Sequence, residues 1–184
     1  MPEILLDNIP MEFILFPKEF VGGEEYLLEG QHLTLLMVES EKKATEILRD
    51  DTRFVVFVNH SLTPEDRKKD ISRVMEKWYK IRAREIIMAL ANDIKKKLGL
   101  NFNSMRIKEQ KTRWGSCSNK GNLNFNWKII MAPPEIIEYI VAHEVCHLVH
   151  MNHSNQFWSL VERLIPDYKD RRTWLRKNGM RLSW

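Results

Sequence analysis

The chain has 184 residues, of which 43% are hydrophobic and 29% charged, and its formal net charge is +4 at pH 7. These values are typical of one soluble globular domain with its own core. No apolar run reaches the roughly 18 residues that a transmembrane helix needs, so we expect no membrane span and no membrane partner. MPEILLDNIP does not resemble a secretory signal, and the two cysteines, Cys117 and Cys146, predict a reduced, cytoplasmic setting.

Residues 1–62 are predicted to form a strand-rich N-terminal part. The predicted strands are MEFILF, EEYLLEG, HLTLLMVE and RFVVFVN, with Gly22-Gly23 as a turn. The stretch EKKATEILRDD at residues 41–51 is compatible with a helical turn or a loop.

A long helix follows. Thr63 offers a capping hydroxyl, Pro64 occupies the first helical position, and Glu65 and Asp66 are acids of the first turn. Apolar residues then recur at helical spacing up to Leu98, and Gly99 is well placed to end the helix.

The next elements complete an α+β arrangement. The segments SMRIKEQKTRW and NLNFNWKIIMA flank GSCSNKG, which predicts a β-hairpin. A helix starting near Pro133-Pro134 then runs through His143 and His147. Two C-terminal helices, 155–165 and 167–177, are separated by Pro166.

The positive charge is concentrated in the C-terminal tail. Residues 166–184 contain six Lys/Arg residues against two Asp residues, an excess suited to nucleic acid or an anionic substrate. The alternative is a solvated helix face. The six cations are Lys169, Arg171, Arg172, Arg176, Lys177 and Arg181.

Four histidines lie within eleven residues, two of them in the segment HEVCH. On a helix His143 and His147 stand on one face about 6 Å apart along the axis, so both can bind one zinc ion. Glu144 lies about 100° around the helix, where a base for a metal-bound water belongs. HEVCH therefore fits the HExxH pattern of metal-dependent hydrolases, on the apolar helix that this chemistry requires. The alternative is a pair of structural histidines satisfied by hydrogen bonds.

A third ligand has to come from beyond a turn. His150 lies on the same helix face, but three ligands on one straight helix would spread over about 10.5 Å of axis. Asn152 tolerates the left-handed conformation that ends a helix, and Ser154 is a good cap for the next one. His153, between them, is therefore favoured, and Glu162 remains a competitor.

The segments KTRWGSCSNKGNLNFNWKIIMAP and IEYIVAHEVCHLVHMNHSNQFW resemble the YgjP-like, WLM-type metal-dependent hydrolases, distant relatives of the SprT-like zinc proteases. The resemblance covers about residues 104–178. It implies a zincin-like core over residues 63–184, in one compact unit with the N-terminal part. It further implies one zinc ion, or another divalent metal, with Glu144 as catalytic acid/base and the ligands His143, His147 and His153. The histidine spacing equals that of metzincins, but their glycine before the third ligand is His150 here.

Hydroxide formed at such a site needs a further group to stabilise the oxyanion of the transition state. Arg113 ranks first because it lies in the TRWGSCS segment. The complete set of candidate substrate or transition-state contacts is Arg113, Lys111, Lys128, His150 and Tyr139.

Three substrates are compatible with this chemistry. A peptide would pair with an exposed strand edge, for which the strand NLNFNWKI is the candidate. The YgjP-like resemblance also implies a UTP pyrophosphohydrolase, with basic side chains on the phosphates and Trp114 or Trp127 on the base. The SprT-like relatives imply proteolysis on DNA, but the chain has no zinc-ribbon cysteines. A zinc ion that only stabilises the fold is a fourth alternative, disfavoured by Glu144.

Overall fold

The computed structural model describes residues 17–110 and 112–184. The predicted strand MEFILF and Lys111 therefore lie outside the described residues. Within them the fold is α+β, as predicted, with two small sheets and four α-helices. The strands are β1 Glu25–Leu28, β2 Gln31–Ser40, β3 Glu46–Arg49, β4 Arg53–Asn59, β5 Ser104–Lys108, β6 Gly115–Cys117 and β7 Asn122–Asn126. The helices are α1 Pro64–Leu98, α2 Pro134–Cys146, α3 Asn155–Leu164 and α4 Tyr168–Asn178, with short 3-10 helices at Trp127–Met131 and Gly179–Arg181.

The N-terminal sheet has the strand order β1-β2-β4-β3. β2 and β4 pair in parallel, and the two outer strands are antiparallel to their neighbours. Alternate residues of β2 and β4 point into the core and are completely or almost completely buried, namely Leu33, Leu35, Phe54, Val56 and Val58. This alternation is the pattern that predicted the strands.

The interpretation of residues 41–51 as a helical turn or loop was wrong in part, because β3 lies within them. Among the described strands β3 is an edge strand of four residues that pairs with β4 alone. Its Leu48 is 60% exposed. A strand this short and this exposed has no alternating apolar pattern by which to recognise it.

The α1 helix confirms its predicted ends. The Thr63 side chain accepts a hydrogen bond from the Asp66 backbone N–H, and Pro64 is the first helical residue. Gly99 adopts φ 65°, and its N–H bonds to the carbonyls of Lys95 and Lys96. Buried residues recur every three or four positions between Ile71 and Ile94, so one face of α1 supports both sheets.

The predicted hairpin was half right. β6 and β7 form an antiparallel hairpin, but β6 is the segment Gly115–Cys117, which the sequence suggested as part of the turn. β5 pairs in parallel with the other side of β7. The strand order is β5-β7-β6, so β7 is central and β6 is an edge strand.

The loop between β5 and β6 crosses from one side of β7 to the other. The buried Asn126 holds it, because its Nδ2 donates to the carbonyls of Gln110 at 2.8 Å and Arg113 at 3.4 Å. The Asn126 backbone N–H also donates to the Trp114 carbonyl at 2.9 Å. Parallel strands need a long connection between them, and no local pattern in the sequence predicts that β5 pairs in parallel with β7.

The turn between β1 and β2 packs against the 3-10 helix Trp127–Met131 and against Pro133, which precede α2. Glu29 N–H donates to the Ile130 carbonyl at 2.7 Å and Gly30 N–H to the Met131 carbonyl at 3.2 Å. Gly30 has φ +79°, and a Cβ there would lie 3.1 Å from Pro133. The N-terminal sheet therefore contacts the segment that positions the HExxH helix.

A cluster of aromatic side chains connects the C-terminus with β1, α1 and the first 3-10 helix. The Trp184 ring lies 4.7 Å from Tyr79 of α1, 5.1 Å from Trp127 and 5.5 Å from Tyr26 of β1, between ring centroids. The Tyr79 hydroxyl in turn donates to the Leu27 carbonyl at 2.7 Å. Edge-to-face pairs of this kind add to the stabilisation from buried area. Among the described helices none is long and apolar enough to cross a bilayer.

We expect Trp184→Ala to lower the free energy of unfolding by about 2–4 kcal/mol, since a large-to-small change leaves a cavity among three aromatic rings. The exposed Met180→Ala is the control and should change stability by no more than about 0.5 kcal/mol. Urea unfolding measures both. Equal, small effects of the two variants would show that the cluster does not stabilise the fold.

Candidate metal centre

The α2 helix carries the HExxH segment through the core. Nine residues of its sequence PEIIEYIVAHEVC are buried. His143 and Glu144 lie among the apolar residues of the helix and not on a separate polar face. The helix ends at Cys146, and His147 is its C-cap with φ −65° and ψ −16°. His147 therefore keeps helical geometry and stays one turn after His143, with the two ring centroids 4.9 Å apart.

The chain reverses directly after His147. The N–H of Leu148 bonds to the Val145 carbonyl, and those of Val149 and His150 bond to the Cys146 carbonyl. The predicted left-handed conformation at Asn152 was wrong, because its φ is not positive. The tightened turn at the end of α2 makes the reversal instead.

Ser154 begins the next helix as predicted. Its hydroxyl accepts a hydrogen bond from the Phe157 backbone N–H at 3.3 Å. This cap fixes α3 immediately after His153, so the histidine lies between two ordered elements. The predicted break near Pro166 is confirmed, since α3 ends at Leu164 and α4 begins at Tyr168.

Three imidazoles meet at this reversal. One ligand nitrogen from each of His143, His147 and His153 lies within 4.8 Å of the others. The Nε2 atoms of His143 and His153 are 3.0 Å apart. Two nitrogens bound to one tetrahedral zinc ion would be about 3.3 Å apart, so this arrangement is close to that of ligands.

Backbone contacts orient one of these rings. His147 Nδ1 lies 2.9 Å from the His150 carbonyl, an arrangement in which Nδ1–H donates and Nε2 keeps its lone pair for a metal. His150 thus acts in the site through its carbonyl, whereas its sequence position suggested a role only for the ring. His143 Nδ1 is buried and has no hydrogen-bond partner among the described residues.

Phe157 packs against all three imidazoles. Its ring stacks on His147 at 4.5 Å and lies edge-on to His143 at 5.0 Å and His153 at 4.9 Å. Trp158 covers the other side of His153, stacked at 5.5 Å. Phe157 is completely buried. The two aromatic residues restrict the ring orientations that a metal site requires.

The surroundings keep the imidazoles neutral. Burial holds the pKa of His143 well below its ordinary value, and the neighbouring His147 and His153 and the Arg172 guanidinium act in the same direction. Burial likewise lowers the pKa of His147 and of His153. Neutral imidazoles with converging lone pairs are the form that binds a divalent cation, so the residues present fit a zinc ion.

Glu144 lies beside this cluster and is only 6% exposed. Burial raises the pKa of its carboxyl to about 8, and the Arg113 guanidinium partly opposes that rise. The carboxyl packs against Gly115 of β6, where an added Cβ would lie 2.5 Å from Glu144 Cγ and 2.7 Å from Oε1. The glycine therefore makes room for the acid, a role that the TRWGSCS segment alone did not reveal.

The other predicted contacts are dispersed. Arg113 is exposed in the loop before β6, and its charge acts on Glu144. Lys128 pairs with Glu109 at 2.8 Å. Tyr139 is 1% exposed and lies 6.0 Å from the His143 ring, which leaves little of it for a substrate. The competing ligand Glu162 is exposed, lies outside the histidine cluster and is 3.8 Å from Lys169.

A buried HExxH helix with a third histidine from the following turn defines the class of metal-dependent hydrolases. The chain matches the model of the YgjP-like family, metallopeptidase domain, over residues 11–178. It therefore belongs to the YgjP-like metallopeptidase family, as the sequence segments indicated.

Solved structures similar to this chain include two metallopeptidase zymogens. Abylysin of Pyrococcus abyssi is 25% identical over 48% of this chain and 90% of its own, with a TM-score of 0.45. Jannalysin of Methanocaldococcus jannaschii is 23% identical over 48% of this chain and 86% of its own, with a TM-score of 0.44. No curated protein shows significant similarity to the chain.

We expect His153→Ala to lose most bound zinc, because two imidazoles from one helix leave the ion without its third protein ligand. His150→Ala and Glu162→Ala should keep about one zinc ion per chain, since the first retains the backbone carbonyl and the second lies outside the cluster. Metal analysis after dialysis against zinc compares the three variants. Zinc lost from Glu162→Ala but kept in His153→Ala would reverse the assignment.

Gly115→Ala should displace the Glu144 carboxyl while leaving the histidines in place. We expect hydrolytic activity to fall by at least about tenfold with unchanged zinc content, because a small misplacement of a catalytic group is costly. Gly22→Ala is the control, since a Cβ there meets nothing within 4 Å. Full activity of Gly115→Ala would show that the close contact with Glu144 does not position it.

Proposed function

We propose that this protein is a zinc-dependent peptidase. The observation that carries the proposal is the buried Glu144 carboxyl, held between the three-histidine cluster and the edge strand β6. A zinc site that served only structure would need neither a buried acid next to it nor the space that Gly115 leaves for that acid.

Each residue has a distinct part in this proposal. His143, His147 and His153 would hold the zinc ion, which when bound supplies an acidified water and polarises the scissile carbonyl. Glu144 accepts the proton of the attacking water and passes it to the leaving amine. Its pKa of about 8 without metal is that of a carboxyl that binds protons readily. Burial is the cause of this property, which suits an acid/base near neutral pH.

The edge of β6 is the proposed binding site for a peptide. The predicted edge, β7, was wrong, because β7 is central and pairs on both sides. Among the described strands β6 pairs only with β7, and it packs against α2 through Gly115. A peptide that adds to this open edge would run past Glu144 with its backbone hydrogen-bonded to the sheet. Arg113, exposed in the loop before β6, is then placed to contact the substrate carbonyl or the oxyanion.

The described residues give less support to UTP. Trp127 is 2% exposed and cannot stack on a base, and Lys128 is engaged with Glu109. Arg171 of the basic tail forms ion pairs with Glu138 and Asp167. These pairs weaken the hypothesis that the tail binds DNA. A peptide would bind along β6, whose Gly115 packs against Glu144, and we therefore favour a peptide substrate.

The proposal is tested by incubating the zinc-loaded protein with an unfolded protein and, separately, with UTP. We expect new peptide termini from the unfolded protein and no pyrophosphate from UTP. Glu144→Gln should lower peptide cleavage by about 10²–10⁴-fold while binding the same amount of zinc, because it removes the proton acceptor but not a ligand.

Two outcomes would contradict the proposal. Cleavage that persists in Glu144→Gln would point to a contaminating protease or to another base. Pyrophosphate release that requires Glu144, without peptide cleavage, would make the protein a nucleotide hydrolase on the same site.

A further inference from the structure

Arg172 of α4 lies next to the metal centre but has no part in the steps above. Its guanidinium carbon is 5.0 Å from the centroid of the Trp158 ring. Trp158 itself stacks on the third histidine, His153, with centroids 5.5 Å apart and planes at 24°. The cation and the His153 imidazole therefore both contact the same indole ring.

The packing of Trp158 gives this cation a fixed support. The indole stacks at 5.2 Å and 16° on Tyr168, which belongs to the same helix as Arg172, and it lies edge-on to the buried Phe157 at 5.1 Å. A guanidinium over an indole face is held by attraction to the ring, while its N–H groups remain directed outward at its edges. Arg172 is an exposed residue.

Two neighbouring cations of α4, Lys169 and Arg171, differ from Arg172 because each lies near a carboxylate. Arg171 bonds to Glu138 at 2.7 Å, to Asp167 at 2.9 Å and to the Glu135 carbonyl at 2.8 Å, which fixes α4 on α2. Lys169 lies 3.8 Å from Glu162. Within the described part of the chain Arg172 makes no ion pair, although it contacts the same indole ring as His153 of the histidine cluster.

We propose that Arg172 binds a carboxylate of the substrate and so directs cleavage to peptide bonds near an acidic group. This inference rests on the proposed peptidase function. The two ring separations place the guanidinium carbon at most about 10.5 Å from the His153 ring centre. An extended peptide advances about 3.3 Å per residue, so the carboxylate belongs within about three residues of the scissile bond. Arginine is the side chain best suited to a carboxylate, which it binds with two parallel hydrogen bonds.

The carboxylate has two sources in a peptide. It is either the side chain of Asp or Glu or the free C-terminal carboxylate, and both present the same two oxygens to a guanidinium. The first makes the protein an endopeptidase with an acidic preference. The second makes it an enzyme that removes short C-terminal fragments.

One experiment separates these cases. A proteome-derived peptide mixture is digested with the zinc-loaded protein, and the cleavage sites are read by mass spectrometry. We expect Asp or Glu to be enriched at a fixed position within three residues of the cut, or cuts to lie at a fixed short distance from the C-terminus. For a synthetic peptide of the preferred kind, Arg172→Gln should lower kcat/KM by about tenfold, chiefly through KM.

Reversing the charge of Arg172 should change the sequence preference of cleavage, which a loss of structure would not do. Arg172→Glu should exchange the acidic preference for Lys or Arg at the same position, with zinc content unchanged. Arg176→Glu, which makes the same charge change one turn further along α4, is the matched control and should keep the acidic preference.

The outcomes distinguish this inference from the proposed function. No cleavage by zinc-loaded wild-type protein overturns the peptidase proposal and this inference with it. Cleavage without any carboxylate preference, or a preference that survives in both Arg172 variants, overturns the role of Arg172 alone. A preference that is lost in Arg172→Gln and reversed in Arg172→Glu supports it.

Discussion

The reversal of the chain after His147 is the constraint on which the candidate site depends. A helix that continued straight would carry His150 away from His143, with about 10.5 Å of axis between them. Instead the N–H groups of Leu148, Val149 and His150 donate to the carbonyls of Val145 and Cys146. The chain therefore turns back. His153 then meets His143 at 3.0 Å between their Nε2 atoms. The short turn converts two histidines of one helix into a three-sided site.

The surrounding packing partly buries that site and keeps its imidazoles neutral. Phe157 contacts all three imidazoles, and burial is the main reason why their pKa values are lowered. The same burial raises the pKa of Glu144, whose carboxyl fits against Gly115 because that residue has no Cβ. Desolvated groups of this kind cost stability without a partner, so a bound cation is expected to stabilise the fold as well as to serve the chemistry.

Local patterns in the sequence predicted the parts of the molecule that local physics decides. The capping of α1 by Thr63 and Gly99, the Ser154 cap and the HExxH face all depend on neighbours a few residues away, and the structure agrees with each. The placement of β5 and β6 around β7 depends on a long-range pairing that Asn126 fixes through backbone carbonyls. No periodicity in residues 104–121 encodes which strand occupies which side.

The same distinction holds within the site. The segment HEVCH identified residues by spacing, whereas the contact of Gly115 with Glu144 and the stack of Arg172, Trp158 and His153 join elements far apart in the chain. Trp158 and Arg172 were visible only as an aromatic residue after the histidines and as one cation of a basic tail. Their position relative to the three histidines depends on how α3 and α4 pack, which residue spacing does not encode.

We propose that three imidazoles hold one zinc ion and leave a position open for water. X-ray absorption at the zinc edge of the purified protein tests it directly. We expect a shell of nitrogen and oxygen ligands at about 2.0–2.1 Å, with multiple scattering from three imidazoles and no sulfur. A sulfur ligand at about 2.3 Å, from Cys117 or Cys146, or scattering from fewer than three imidazoles would contradict it.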